Sequence, residues 1–451
     1  MRLGRTLGSL RRAIFSQSLP STPSAHSSAR FALFNHHLAR ARNTGSRVRC
    51  IHTIPKPRNR LQELESDLLT QAGSAETAKL ELKWLREHAE EEHRNQPPGP
   101  ERDQCVADCL KQLCEERAKG TPIQLLIGNT YFGDLLLHCA PDVLIPRQDT
   151  ATQMEWFFRR LNIDETSFPS NPRVLDLCCG SGCMSLLFAH KFGQVAGNKR
   201  SASLTGVDIS AKALELAERN RQHLLSQNSS RSTMETLKSL KYIKANILDK
   251  EHYSDAGNPE LSTAPLIYDV LQDQTFDIVL SNPPYIDPRT ELDPQVRNFE
   301  PSLALFPPKS LNSNIHAGDT FYPRLLEVAK AVKAKFLFME VGNMEQAERV
   351  ADLASRQSYW TGRGSCGVQI WRDVLPTGSS VDLREVCRPL KLDHNDEDVD
   401  FADLVPVFGA GEARTVVCWT REACSWLDIF ELGITLSGIQ IIGHKEKRRC
   451  S

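Results

Sequence analysis

Asn282-Pro283-Pro284-Tyr285 is the segment whose residue types most narrowly limit the chemistry it can do. It follows Phe276–Ser281, an apolar run that reads as a strand. Two prolines at a strand terminus end sheet pairing and stiffen the loop. The Asn282 side-chain oxygen and the Pro283 carbonyl then accept hydrogen bonds at fixed angles, which suits a planar –NH₂ donor. Tyr285 can stack on the flat group that carries it. The nitrogen of such a group is a poor nucleophile, because its lone pair is delocalised into the neighbouring π-system. Holding both N–H bonds favours pyramidalisation and aims the lone pair out of plane. In-line methyl transfer from a sulfonium needs alignment and short approach, and no metal. A pocket with little water keeps water from competing. Asn282, Pro283, Pro284 and Tyr285 are therefore the candidate catalytic residues.

A second constellation supplies a place for the donor. Strand Val174–Leu177 runs into Asp176-Leu177-Cys178-Cys179-Gly180-Ser181-Gly182, and a helix follows. Glycines between a strand and a helix let backbone approach a ligand closely. The next strand, Leu204–Ile209, carries Asp208 at its end, where a carboxylate can accept hydrogen bonds from two ribose hydroxyls. This pair alone fits a dinucleotide dehydrogenase as well as a methyltransferase. Ser185, where the third glycine of G-x-G-x-x-G would lie, weakens a pyrophosphate site.

The elements that must position these loops alternate. Further strands are expected at Leu240–Ala245, Lys335–Val341, Gly367–Trp371 and Thr415–Trp419, with helices at Ser181–Lys191, Ala211–Leu225, Tyr322–Val332 and Met344–Arg356. Such alternation predicts a doubly wound, mostly parallel α/β sheet. In that fold the first and fourth strands flank the crevice where strand order reverses, so the two loops share a mouth. Ahead of the sheet, 60–119 reads as a small helical domain in which Cys105, Cys109 and Cys114 share an apolar stripe. Residues 120–150 read as a β-hairpin linker, its strands Gln124–Ile127 and Leu135–Cys139 around Gly133-Asp134. The methyltransferase-like domain is expected over 151–424. Stretches 193–203, 226–238, 252–274 and 374–412 show no sustained period and read as surface insertions. Asp393–Asp403 reads as a solvated acidic loop. Residues 425–451 read as a dispensable extension.

Charge separates the chain into two unlike parts. Residues 1–52 hold nine arginines, eight serines, no lysine and no acid. With Leu3, Leu7, Leu10 and Ile14 at helical spacing, this predicts a mitochondrial transit peptide, cleaved between Arg47 and Pro55. Of 55 basic residues 46 remain beyond it, against 56 acidic ones, a net charge of about −10. So acidic a body disfavours non-specific nucleic-acid binding. The 13 cysteines include no Cys-x-x-Cys pair and no zinc-ligand spacing. No run of about 18 apolar residues offers a membrane span.

Asp176–Gly182, Asp208 and Asn282–Tyr285 together resemble the S-adenosylmethionine-dependent amino methyltransferases. Leu144-Ile145-Pro146-Arg147-Gln148-Asp149-Thr150 more narrowly resembles the "IPRPET" element of the HemK/PrmC family, and Gly120–Ile123 and Phe299-Glu300-Pro301 match positions flanking that family's motifs. The resemblance covers about 60–371 plus 411–419. It implies a Rossmann-like class I methyltransferase fold and S-adenosyl-L-methionine as cofactor. The implied activity is methylation of the glutamine amide in the Gly-Gly-Gln motif of a mitochondrial class I peptide release factor, in the matrix, by a monomer whose helical domain docks the substrate. By position, the cofactor falls to Asp176, Cys178, Cys179, Gly180, Ser181, Gly182, Asp208, Asn246, Ile247 and Asn282. The substrate glutamine falls to Phe132, Asn282, Pro283 and Tyr285. Cys178, Gln148, Ala151 and Asn246 depart from the family's usual glycine, proline, acid and aspartate. An adenine-amino methyltransferase acting on DNA or RNA would use the same acceptor logic with base flipping, but the acidic body opposes it. A catalytically silent cofactor-binding protein is opposed by intact Asn282 and Tyr285. A dehydrogenase lacks any specific acid/base pair for hydride transfer.

Overall fold

The computed structural model describes residues 60–164, 166–196, 200–227, 230–248, 253–254, 259–361, 367–374, 388–391, 404–426, 434–435 and 438–439. The arginine-rich leader and the acidic run Asp393–Asp403 lie outside the described residues.

Three helices come first: α1 (Arg60–Ala72), α2 (Ala75–Glu92) and α3 (Pro100–Ala118). Ser74 caps α2 by accepting the Thr77 N–H at 3.1 Å, and Pro100 opens α3, where its missing N–H costs nothing. The helices bury Leu68, Ala78, Leu85 and Cys114 in a core of their own. The expected cysteine stripe is only partly buried, because Cys105 is exposed. Arg117, near the end of α3, reaches both Glu81 oxygens at 2.8 and 2.9 Å.

The hairpin differs from expectation. Pro122 starts a short helix, α4 (Ile123–Leu126), closed by the Ile127 N–H on the Ile123 carbonyl. Its ladder is β1 (Asn129–Phe132) against β2 (Leu135–His138), with Phe132 opposite Leu135. Helix α5 (Gln148–Arg160), not anticipated, buries Ala151, Met154, Phe157 and Phe158. Their three- and four-residue spacing is its signature.

The nine-stranded sheet has the order β5-β4-β3-β6-β7-β11-β8-β10-β9. Its strands are β3 (Arg173–Leu177), β4 (Ser203–Asp208), β5 (Lys241–Lys244), β6 (Ile278–Ser281), β7 (Phe336–Glu340), β8 (Gly367–Val374), β9 (Arg388–Lys391), β10 (Leu404–Phe408) and β11 (Ala410–Trp419). Strands β5, β4, β3, β6 and β7 run parallel, and β11 inserts antiparallel between β7 and β8. Strands β6 and β7 are buried at every position, as a parallel sheet covered on both faces requires. One face packs on α5 and α6 (Cys183–Val195) around Phe157, Phe188 and Phe338. The other packs on α13 (Phe321–Ala331) and α14 (Met344–Ser355) around Leu325, Val350 and Leu337. Helix α7 (Ala211–Gln227) follows β4.

The supposed insertions carry structure. Stretch 193–203 includes the last residues of α6, to Val195, and the first of β4, Ser203. Within 226–238 lies most of α8 (Arg231–Ser239), which buries Ser232, Thr233 and Thr236. Its packing face is made of small hydroxyls, so no apolar period announces it. A Cβ at Gly193 would collide with Thr233, which is how two backbones come this close. Residues 252–274 hold α9 (Pro259–Thr263) and α10 (Ile267–Leu271), and they bury Leu261, Ile267 and Leu271. Residues 374–412 add β9 and β10 to the sheet edge.

The C-terminal extension begins later than 425. Residues Arg421–Trp426 form a 3₁₀ turn whose Trp426 is 2% exposed. The Trp426 indole N–H donates to the Ser167 carbonyl at 3.0 Å, and its own carbonyl accepts the Asn162 N–H at 2.7 Å. Trp426→Ala is expected to cost about 3–5 kcal/mol, the range for emptying a buried aromatic site. Chemical denaturation checks this; a loss below about 1 kcal/mol would place Trp426 outside the core.

Candidate active site

The cavity opens where β3 and β6 part. The two strands end opposite one another, Leu177 paired with Ser281, and the Ser281 hydroxyl donates to the Leu177 carbonyl at 2.9 Å. Beyond Leu177 the chain turns sharply: Cys178, Gly180 and Gly182 have φ of 59°, 54° and 77°. At Gly180 a Cβ would meet no protein atom within 4 Å. This glycine faces open space, and a side chain there would enter the cavity. Gly182 is required for another reason, since a Cβ would strike the Tyr242 hydroxyl.

The cavity encloses about 250 Å³. Cys178, Gly180, Asp208, Asn246, Ile247, Asn282 and Pro284 line it, which brings seven of the anticipated residues to one space. Asp208 is held from both sides: Oδ2 accepts the Gly180 N–H at 2.8 Å and Oδ1 the Ser210 N–H at 2.9 Å. Each oxygen keeps a second lone pair, so the carboxylate is fixed in place and can still accept two hydroxyls. Burial raises its pKa, and the N–H groups of Ser210, Gly180 and Ile209 oppose that rise.

Other anticipated residues support the cavity from behind. Asp176 is 1% exposed, and its Oδ2 accepts the Ser185 N–H at 3.0 Å. Its Oδ1 has no partner, and burial pushes the carboxyl up to about 7. Cys179 and Ser181 are buried, and the Ser181 carbonyl accepts from Asn220 at 3.1 Å. Asn246 is at the cavity, but its amide is committed inward. Nδ2 donates to the Tyr253 hydroxyl at 2.7 Å and to the Leu261 carbonyl at 3.0 Å, while Oδ1 accepts the Leu248 N–H at 3.0 Å. Phe132, expected against the substrate glutamine, needs a correction: it is fully buried in the core with Leu135 and Met154 and does not line the cavity.

The acceptor loop is clamped from α14. Gln346 Nε2 donates to the carbonyls of Tyr285 and Gly318, each at 3.1 Å, and to Asp319 Oδ1 at 2.8 Å. Pro283 is buried and Asn282 half-buried. The Tyr285 hydroxyl donates to Glu340 Oε1 at 3.3 Å; burial and that carboxylate hold the phenol protonated. Behind the loop, Glu300 accepts from Arg147 at 2.5 Å and from the Ile145 N–H at 3.3 Å, which ties the Arg147 element to Phe299–Pro301. Asp142, Lys212, Glu260, Leu303 and Phe321 also line the cavity. They come from five separate segments, and no local pattern marks them.

Two expectations follow. Asp208→Ala should weaken cofactor binding by about 1.5–3 kcal/mol, roughly 10–150-fold, as loss of charge-assisted hydrogen bonds does. Calorimetry reads this directly, and unchanged affinity would remove Asp208 from the site. Asp176 has a native pKa of about 7 against about 3.9 unfolded. Between those values the folded state keeps a proton that the unfolded state has released. Its contribution to stability is therefore whole below about 3.9 and is lost as pH rises through 7. The melting temperature of Asp176→Asn minus that of wild type should thus become more positive from pH 5 to pH 8. A flat or falling difference would overturn the assignment.

The family described as "Methyltransferase domain" matches residues 169–303. A release factor glutamine methyltransferase of Chlorobaculum tepidum is 27% identical over 59% of this chain and 75% of its own length. The mitochondrial MRF1 N(5)-glutamine methyltransferase of Saccharomyces cerevisiae is 27% identical over 67% of this chain and 78% of its own. The probable mitochondrial counterpart of Schizosaccharomyces pombe is 28% identical over 54% and 71%. A solved human methyltransferase 10 domain containing protein, at 11% identity, covers 62% of this chain and 84% of its own with a TM-score of 0.32. With the glycine loop, Asp208 and the Asn-Pro-Pro-Tyr loop at one cavity, the chain is a methyltransferase similar to the release factor glutamine methyltransferases, with S-adenosylmethionine as its cofactor.

Proposed function

We propose that this chain methylates the side-chain amide of the glutamine in the Gly-Gly-Gln motif of a mitochondrial class I release factor. The observation that carries the reading is that Asn282 and Asp208 line one cavity, which puts an amide-type acceptor site within reach of a nucleoside site. The mitochondrial relatives support the organelle, and the acidic body supports a protein over a polynucleotide. The matrix is the proposed compartment and a monomer the proposed state. Helices α1–α3 are proposed to dock the release factor. Among the described residues no helix is long and apolar enough to cross a membrane.

When bound, S-adenosylmethionine supplies a methyl group activated by its sulfonium. Asp208 and the backbone at Gly180 hold the nucleoside end. Asn282 Oδ1 and the Pro283 carbonyl accept the two N–H bonds of the substrate amide and turn its nitrogen lone pair toward the methyl carbon. Held there, the cofactor would supply its methyl to the amide nitrogen, an N–C bond replacing the S–C bond, whose electron pair would stay with the departing thioether. The nitrogen then gives up one proton to solvent. Tyr285 offers a flat wall to the amide. No residue of the chain need take a proton in the bond-forming step, so alignment is the main contribution of the site.

Asn282→Ala should lower turnover about 10²–10³-fold, the scale for losing one preorganised hydrogen-bonding group, while cofactor binding stays measurable. The deciding assay offers methyl-labelled cofactor with the release factor, its Gln→Ala variant, or mitochondrial nucleic acid. Label in the release factor that disappears in the variant supports the reading; label only in nucleic acid favours an adenine amine as acceptor.

A further inference from the structure

Two prolines leave the acceptor loop few ways to bend, so a hold at one end places the other. Pro283 and Pro284, each with φ fixed by its ring, lie between Asn282 and Tyr285. On the Asn282 side the hold is β6, through the Ser281 hydroxyl on the Leu177 carbonyl. On the far side the Ile286 N–H donates to the Leu305 carbonyl at 3.0 Å, and the Tyr285 carbonyl itself is taken by Gln346, which is 4% exposed. The Gln346 amide fits only one way round. The Gly342 N–H donates to Oε1 at 2.8 Å, while Nε2 faces three acceptors, the carbonyls of Tyr285 and Gly318 and Asp319 Oδ1. An amide nitrogen has two protons, so one of them is shared. Asn343 Oδ1 takes the Gln346 backbone N–H at 2.9 Å, and Arg349 pairs with both Asp319 oxygens at 2.5 and 3.1 Å. The first turn of α14 and a charge pair thus fix the amide from two sides.

The surrounding backbone leaves no slack. A Cβ at Gly318 would lie 2.6 Å from the Tyr285 carbonyl oxygen, and one at Gly342 would lie 3.2 Å from two Tyr285 ring carbons. The carbonyl is therefore pressed between Gly318 and Gln346, and the ring lies on the Gly342 backbone. One turn, from Glu340 to Gln346, meets Tyr285 at its hydroxyl, its ring and its carbonyl.

We propose that Gln346 is a positioning residue for methyl transfer. By holding the Tyr285 carbonyl it sets, through Pro284 and Pro283, where the Pro283 carbonyl and Asn282 Oδ1 stand relative to the cofactor. Gln346 does not line the cavity. Removing its amide leaves the cofactor's walls in place and loosens the loop that aims the acceptor nitrogen. In-line transfer tolerates little misplacement, so the effect falls on the bond-forming step rather than on binding.

The inference deepens the amide-acceptor reading and rests on it, and amide exchange separates the two. Purified full-length Gln346→Met, Gln346→Glu and Gly342→Ala are compared with wild type for kcat and KM on the release factor, for cofactor affinity by calorimetry and for hydrogen exchange. Methionine approximates the length of glutamine without its hydrogen bonds. Gln346→Met is expected to lower kcat about 10- to 100-fold, the scale of a misplaced reacting group, with KM and cofactor affinity within about threefold of wild type. Gln346→Glu keeps an acceptor for the Gly342 N–H but turns another toward two carbonyls and Asp319, so it should not rescue. Gly342→Ala, at a position outside the left-handed region, displaces the Tyr285 ring instead and should lower kcat less. Both changes act on Tyr285, so the Gln346→Met, Gly342→Ala double variant should lose less than the product of the single losses. The Ile286 amide should exchange faster in Gln346→Met, while the Ser185 amide, bonded to Asp176, keeps its wild-type rate. A kcat within about threefold of wild type in folded Gln346→Met, a matching loss of cofactor affinity, a Gln346→Glu as active as wild type, or losses that multiply would overturn the proposal. Should Gln346→Met not fold, Gln346→Glu is read by the same criteria. Labelling of a different acceptor by wild type overturns the substrate reading alone, and the same kcat split is then expected on that acceptor. Exchange needs no acceptor: an unchanged Ile286 rate in the folded variant overturns the positioning role whatever the substrate.

Discussion

The pairing of β3 with β6 is the contact on which the site depends. Parallel neighbours at the point where strand order reverses send their following chains to opposite faces, and the gap between them is the only place where both loops can meet one ligand. Here the register ends with Leu177 opposite Ser281, and the buried Ser281 hydroxyl closes it on the Leu177 carbonyl. A one-residue slip of β6 would turn every side chain on the strand to the other face, and Asn282 would leave the cavity. The loops can be stiff because the strands beneath them cannot move.

Much of this could be read in the chain because it is local. Continuous apolar runs mark β6 and β7, the glycines at 180 and 182 mark a turn that must accept positive φ, and two prolines after Asn282 mark a rigid strand end. What escaped is nonlocal. Gln346 looks like any helical glutamine, yet it secures the Tyr285 carbonyl 61 residues earlier. Glu340 reads as the polar end of a strand, yet its carboxylate accepts the Tyr285 hydroxyl 55 residues earlier. Helix α8 was missed because its buried face is serine and threonine, and a hydrophobic period cannot report a face packed through small hydroxyls. Phe132 departs from its expected place for a related reason: family position gives the neighbourhood of a side chain, whereas its direction comes from the partners it finds.

The helical unit is joined to the acceptor loop by polar contacts of the same nonlocal kind. Beyond its buried pair with Glu81, Arg117 donates to Gln295 Oε1 at 3.2 Å, and Gln295 Nε2 donates to Gln71 Oε1 at 3.2 Å. Gln295 belongs to α11 (Pro294–Phe299), on the segment that leads away from Tyr285. A buried ion pair adds little net stability over a well-packed apolar substitute, but removing one partner is costly because the other charge is stranded. Its value here is directional: a bidentate guanidinium accepts only a narrow range of angles. The orientation of α1–α3 is thereby referenced to the loop proposed to hold the acceptor amide, the relation needed if a docked substrate is to deliver one glutamine side chain to one point.

A methyl donor beside a cysteine poses a problem of its own. Cys178 lines the cavity, and a thiolate is a far better nucleophile than an amide nitrogen. Left ionised, it could intercept the methyl group. Burial pushes the Cys178 thiol well up, and the charges of Asp208 and Asp176 push it further. The carboxylate proposed to hold the ribose therefore adds to the burial that keeps the thiol beside it protonated. Cys179 and Cys183 are held protonated mainly by burial, with Asp176 adding to it. Against these protonated thiols, the weak amide nucleophile that Asn282 and Pro283 are proposed to align meets no ionised cysteine among the described residues beside the cavity. On that proposal, selectivity for the amide comes as much from suppressing the chain's own nucleophiles as from aligning the substrate.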